Sequence, residues 1–70
     1  MRVVEYMRRN RGLSQRALGA LARVDAGYIC TAEKYGFARG VRLNRIASAL
    51  GWSGKPEDLL EEVSEEVITK

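Results

Sequence analysis

Residues 12–33 read GLSQRALGALARVDAGYICTAE, and this stretch decides the fold. Ser14 suits a helix N-cap, because its hydroxyl can accept a bond from a backbone amide that otherwise has no partner. Leu18, Leu21 and Ala22 then recur at helical spacing on one face. Arg23-Val24 breaks the pattern, and Asp25 offers a second cap. Ile29, Ala32 and Glu33 continue a second short helix. The spacing predicts two short helices joined by a tight turn, a helix-turn-helix over about 14–35.

Outside this stretch the chain also punctuates itself into short helices. A first helix is expected from about Arg2 to Asn10, with Val3, Val4, Tyr6 and Met7 as its apolar face. Arg8, Arg9 and Arg11 crowd its end, where cations favour the negative end of the helix dipole, and Gly12 stops it. The second helix is expected at about Gln15 to Ala22 and the third at about Ala26 to Tyr35, with Gly36 as its stop. Gly36-Phe37-Ala38-Arg39-Gly40 reads as a loop. A fourth helix follows from about Val41 to Leu50, with Leu43, Ile46, Ala47 and Leu50 on one face and Gly51 at its end. Pro56 then suits the first position of a fifth, amphipathic helix over about 56–68. Its stripe is Leu59, Leu60, Val63, Val67 and Ile68, and Glu57 and Asp58 put negative charge in its first turn. The expectation is an all-α, five-helix domain filling residues 1–70.

Composition narrows the function. Seventy residues make at most one small domain. No apolar run approaches the roughly 18 residues of a membrane span, and no apolar segment follows the N-terminal arginines as it would in a secretory signal. Cys30 stands alone and there is no His, which removes most metal sites and most nucleophile–base sets. Neither an enzyme nor a cofactor is expected, and the lone cysteine fits a reducing cytoplasm. The net charge of +3 hides a division. Residues 1–45 carry ten Lys or Arg against three acids, a balance of +7, whereas residues 46–70 carry two against six, a balance of −4. A basic body suits a polyanion, and an acidic tail should point away from it.

Three motifs in register resemble the Cro/C1-type (XRE-like) helix-turn-helix family of bacterial and phage repressors. They are Val4, Met7 and Arg8 followed by Gly12-Leu13-Ser14-Gln15; Tyr28-Ile29 followed by Glu33; and Ile46-Ala47-Ser48-Ala49-Leu50-Gly51. The likeness covers about residues 4–60 and implies a lambda-repressor-like fold with the third helix in the major groove of double-stranded DNA. It implies that Gln15, beside Arg16 at the start of the second helix, bonds a phosphate. It places Asp25, Ala26, Gly27, Thr31 and Lys34 on the groove-facing side, with Tyr28 and Cys30 at its margin. Thr31 can bond a base edge or touch a thymine methyl, and Ala26 can only do the latter. Tyr28 and Lys34 suit the DNA backbone, and Asp25 suits the helix cap. Arg39, Arg42 and Arg45 fall where the family touches the backbone beside the recognition helix, a solvated face being the plain alternative. Arg8 and Glu33 fall where the family has a structural ion pair, against the alternative of two solvated charges.

The chain also departs from the family. Where the turn usually holds a glycine of positive φ stands Arg23, so either the turn is rebuilt or Arg23 bears strain of about 1 kcal/mol to reach a phosphate. The loop after Glu33 lacks the usual polar, Pro-containing stretch. Ala26 and Gly27 replace long polar base-readers, so direct readout is weak and specificity is expected to lean on DNA shape. Phe37 is read as a core plug, Cys30 as a small filler, and Trp52 as closing the core or a dimer contact. Leu60, Val63 and Val67 are read as a homodimer surface in preference to intramolecular packing alone, and the operator should then be palindromic. Together these imply a cytoplasmic, nucleoid-associated transcriptional repressor or controller protein. The alternative is a module of the same fold that binds a protein partner, as an antitoxin or antirepressor does.

Overall fold

The computed structural model describes residues 1–63. Four α-helices follow one another: α1 (Val3–Asn10), α2 (Gln15–Ala22), α3 (Ala26–Tyr35) and α4 (Gly40–Ala49). The bounds of α2 and α3 are those the sequence predicts, because both helices are punctuated by local chemistry. Ser14 Oγ accepts from the Ala17 amide at 3.0 Å, and Arg23 and Gly36 close the two helices in the left-handed conformation. Helix α4 starts one residue earlier than expected and ends one earlier.

The main core joins all four helices. Val4 of α1, Leu18 and Ala22 of α2, Ile29 of α3, and Ile46, Ala47 and Leu50 at α4 pack with Leu59 as one buried cluster. Trp52 packs against its edge, and the indole Nε1 donates to the Lys55 carbonyl at 2.9 Å. Ala32, Ala38 and Leu43 form a smaller cluster under the α3–α4 loop.

The fifth helix is corrected. Over the described part of that stretch, residues 56–63, only a 3₁₀ turn forms, at Pro56–Leu60, and the backbone is extended at Glu61. The physical reason lies at the other end of the chain. The first amides of α1 have no intrahelical acceptors, and an extended segment supplies one: the Val3 amide donates to the Glu61 carbonyl at 2.9 Å. The Val63 amide in turn donates to the Met1 carbonyl at 2.8 Å, and Arg2 and Glu62 form an isolated antiparallel bridge. Arg2 Nη1 holds the Leu60 carbonyl at 3.0 Å.

These contacts bear on the expected dimer surface. Leu60 is half-buried against the Ala32–Ala38–Leu43 cluster of its own chain, and Val63 is half-buried beside the N-terminus. Val67, and Ile68 of the same expected stripe, lie outside the described residues. Among the described residues no helix is long and apolar enough to cross a membrane.

Candidate nucleic-acid interface

The tight turn depends on two residues of α2 and its cap. Gly19 sits where a Cβ would lie 2.7 Å from the Val24 carbonyl oxygen and 3.3 Å from the Ala26 amide nitrogen. No side chain fits there, so glycine lets the start of α3 cross closely over α2. The turn is not rebuilt at Arg23, which adopts φ 60° and ψ 43°, a left-handed conformation that costs an L-residue about 1–2 kcal/mol. The Val24 amide then reaches the Gly19 carbonyl at 2.9 Å and closes α2.

A buried ion pair fixes the angle of α3. Arg8 Nε donates to Glu33 Oε2 at 2.6 Å and Arg8 Nη2 to Glu33 Oε1 at 3.2 Å. Arg8 Nη1 also donates to the Leu13 carbonyl at 2.6 Å. With Arg8 8% and Glu33 7% exposed, the alternative of two solvated charges is excluded. The hydrogen bonding of Arg8 to Glu33 is the main cause that raises the Arg8 pKa above its ordinary value, against desolvation that lowers it; the Glu33 and Glu5 charges add to the rise. Such a cation contributes its stability at every pH below the ordinary arginine range and loses it only as pH rises through the raised value.

Gln15 belongs to this network. Its Nε2 donates to Glu33 Oε1 at 2.9 Å, in a half-buried position. The carboxamide expected to meet a phosphate is turned inward here, because two bonds from Arg8 leave Glu33 with acceptor capacity to spare. Arg16, on the next residue, is exposed.

The outer face of α3 borders a groove of about 560 Å³. Asp25, Gly27, Tyr28, Thr31 and Arg42, all expected at the site, line it together with Arg23, Val24 and Arg45. Asp25 occupies the N-cap position of α3 but makes no capping bond, so its expected role as a cap is corrected to an exposed carboxylate at the groove. Of the two amides that a cap could take, that of Tyr28 already donates to the Asp25 carbonyl at 3.0 Å. The Thr31 hydroxyl donates to the Gly27 carbonyl at 2.9 Å. Gly27 is exposed, and a Cβ added there would meet nothing within 4 Å. Ala26 is half-buried, Lys34 is exposed at the far end of α3, and Cys30 is half-buried.

Tyr28 joins α3 to α4. Its hydroxyl accepts from the Arg39 amide at 3.0 Å, and the Arg42 guanidinium stands over its ring, 5.3 Å from the centroid. Arg39, Arg42, Phe37 and Val41 border a second, neighbouring groove with Tyr28. Phe37 is corrected from core plug to surface residue, since 64% of it is exposed. The small side chain of Ala38 takes the buried place in that loop instead.

Among the described residues no carboxylate pairs with Arg16, Arg23, Arg39, Arg42, Arg45 or Lys34; the ion pairs formed involve the N-terminus, Arg2, Arg8 and Arg9. Two features escaped the reading of the sequence: the close approach at Gly19 and the convergence of Arg23 with Arg42 and Arg45. An interior helix glycine just before a turn was the available signal for the first. The second depends on how α3 and α4 cross, which has no local signature. No group of three or more potential metal ligands occurs among the described residues.

Comparison of the chain with protein-family models, with curated proteins and with solved structures finds no significant match to any of them.

Proposed function

We propose that the chain is a DNA-binding transcriptional regulator of the Cro/C1 (XRE-like) type that lays α3 in the major groove. One observation carries this reading: the outer face of α3 stands beside a groove walled by Arg23, Arg42 and Arg45, none paired with an acid among the described residues. Unneutralised cations along one face of a helix suit phosphates on both sides of a groove. Readout through α3 is sparse. Asp25 can accept from a cytosine amine, Ala26 and Thr31 can contact thymine methyls, and no side chain offers a bidentate base contact. Specificity therefore leans on DNA shape and on phosphate register. A two-fold dimer would set two copies of α3 about 34 Å apart, on successive turns of a palindromic operator whose occupancy blocks transcription.

A second reading, a protein-binding module of the same fold, draws on the exposed Phe37 and Val41 beside the interface and on the short side chains at Ala26 and Gly27. The test is retention of a random duplex pool by the purified chain across a salt series, with sequencing of what is retained. Steep loss with salt and an enriched palindrome support a dimeric operator binder. Failure to retain any duplex at low salt overturns the DNA reading in favour of a protein partner.

A further inference from the structure

Five described residues have positive φ: Gly12, Gly36, Gly40, Gly51 and Arg23. Four of the five follow the steric rule that reserves this conformation for glycine. The fifth breaks it with a long cation. Nothing within the described chain accounts for the exception. The Arg23 side chain takes part in none of the hydrogen bonds or ion pairs formed there, and the residue is exposed. The left-handed turn itself closes α2, but glycine would make it without strain, and an arginine side chain with no partner in the described chain points to something outside the molecule.

The surroundings of Arg23 say what that is. Arg23 and Arg45 form the wall between two adjoining surface grooves, one shared with Leu21 and Ser48, the other with Asp25 and Arg42. Three arginines thus line one concave strip at the N-terminal end of α3. Asp25, uncapped, exposes a carboxylate on the same strip. An anion brought there by α3 is repelled by Asp25, and Arg23, two residues before it, offsets that charge. A planar guanidinium can hold a phosphodiester through two parallel bonds.

We infer that Arg23 is a phosphate anchor, held in a strained turn so that its guanidinium grips the DNA backbone where α3 enters the groove. This inference rests on the DNA-binding reading above and adds to it a residue and a role. The left-handed backbone is retained because arginine at this point of the turn gains a contact that glycine cannot make.

Two variants of the full chain test it, Arg23→Gly and Arg23→Gln, each measured by thermal unfolding and by titration with duplex DNA over a salt series. Arg23→Gly relieves the strain, so its melting temperature should rise by about 4–8 °C. Its affinity should nonetheless fall about tenfold, equally for all sequences, and its log–log salt slope should be shallower by about 0.9. Arg23→Gln keeps the strain and loses the charge, so it should melt like the parent and show the same loss of affinity and slope. If the parent binds duplex while both variants bind with unchanged affinity and slope, the anchor is overturned and the DNA reading stands. If the parent itself binds no duplex at low salt, the DNA reading falls and takes the anchor with it.

Discussion

Arg8 of α1 and Glu33 of α3 meet inside the molecule, with Arg8 Nε 2.6 Å from Glu33 Oε2. Two residues 25 apart in sequence thereby tie α1 to α3. Gln15 from α2 closes the set, so each of the first three helices contributes one side chain. The exposed face of α3 takes its direction from a buried charge pair on the opposite side of the helix.

Removing one partner of that pair should cost far more than removing both. Glu33→Ala leaves Arg8 buried and unpaired, and a loss of about 3–5 kcal/mol is expected. The double replacement Arg8→Met with Glu33→Leu should recover most of it, short of what the Leu13 carbonyl loses. Urea unfolding of both single variants and the double variant gives the comparison; a double loss equal to the sum of the single losses would show that the two charges act independently.

The two interior helix glycines should respond to alanine in opposite directions. Gly19→Ala drives a Cβ into backbone at 2.7 Å and should destabilise the chain by about 1–3 kcal/mol. Gly27→Ala meets open space and should stabilise α3 by about 1 kcal/mol. If the α3 backbone comes close to DNA, Gly27→Ala will also bind duplex more weakly despite its greater stability. Thermal unfolding and a binding titration on the same samples separate these effects.

Tyr28→Phe removes the hydroxyl that accepts from the Arg39 amide. A loss of about 0.5–1.5 kcal/mol is expected for one such bond. Amide hydrogen exchange at Arg39 should speed up while exchange at the buried Ile29 and Ile46 follows only the global change. Unchanged exchange at Arg39 would mean that water replaces the hydroxyl without cost.

Phe37→Ser and Val41→Ser should leave folding stability within about 0.5 kcal/mol, because both side chains are largely exposed. If these residues serve only as surface, duplex binding and the molecular mass in solution will match the parent. A change of mass in solution would identify this patch as a protein contact.

Much of the fold was legible in residues 12–36 because its signals are local. Ser14 caps α2 through a bond three residues away, and Gly36 ends α3 with its own backbone. The match of Arg8 with Glu33 was legible through resemblance to a known pattern, and burial turned it into a pair. Asp25 was misread because cap chemistry is a preference of a residue type, whereas the bond depends on where the side chain finds room. Phe37 was misread because apolar character does not say which of two adjacent loop residues, Phe37 or Ala38, meets the core.

By itself the sequence determined four helices, their limits to within a residue and most of the faces they bury, since periodicity, caps and stops act within a few residues; Leu21, read on one face with Leu18 and Ala22, is instead 61% exposed. The tertiary structure alone decided the path of residues 56–63, the inward turn of Gln15, and the meeting of Arg23 with Arg42 and Arg45. Each of these depends on which unsatisfied donor, acceptor or open surface a distant part of the chain presents. At Val3 it was an amide without a helical acceptor that drew Glu61 into an extended backbone in place of a fifth helix.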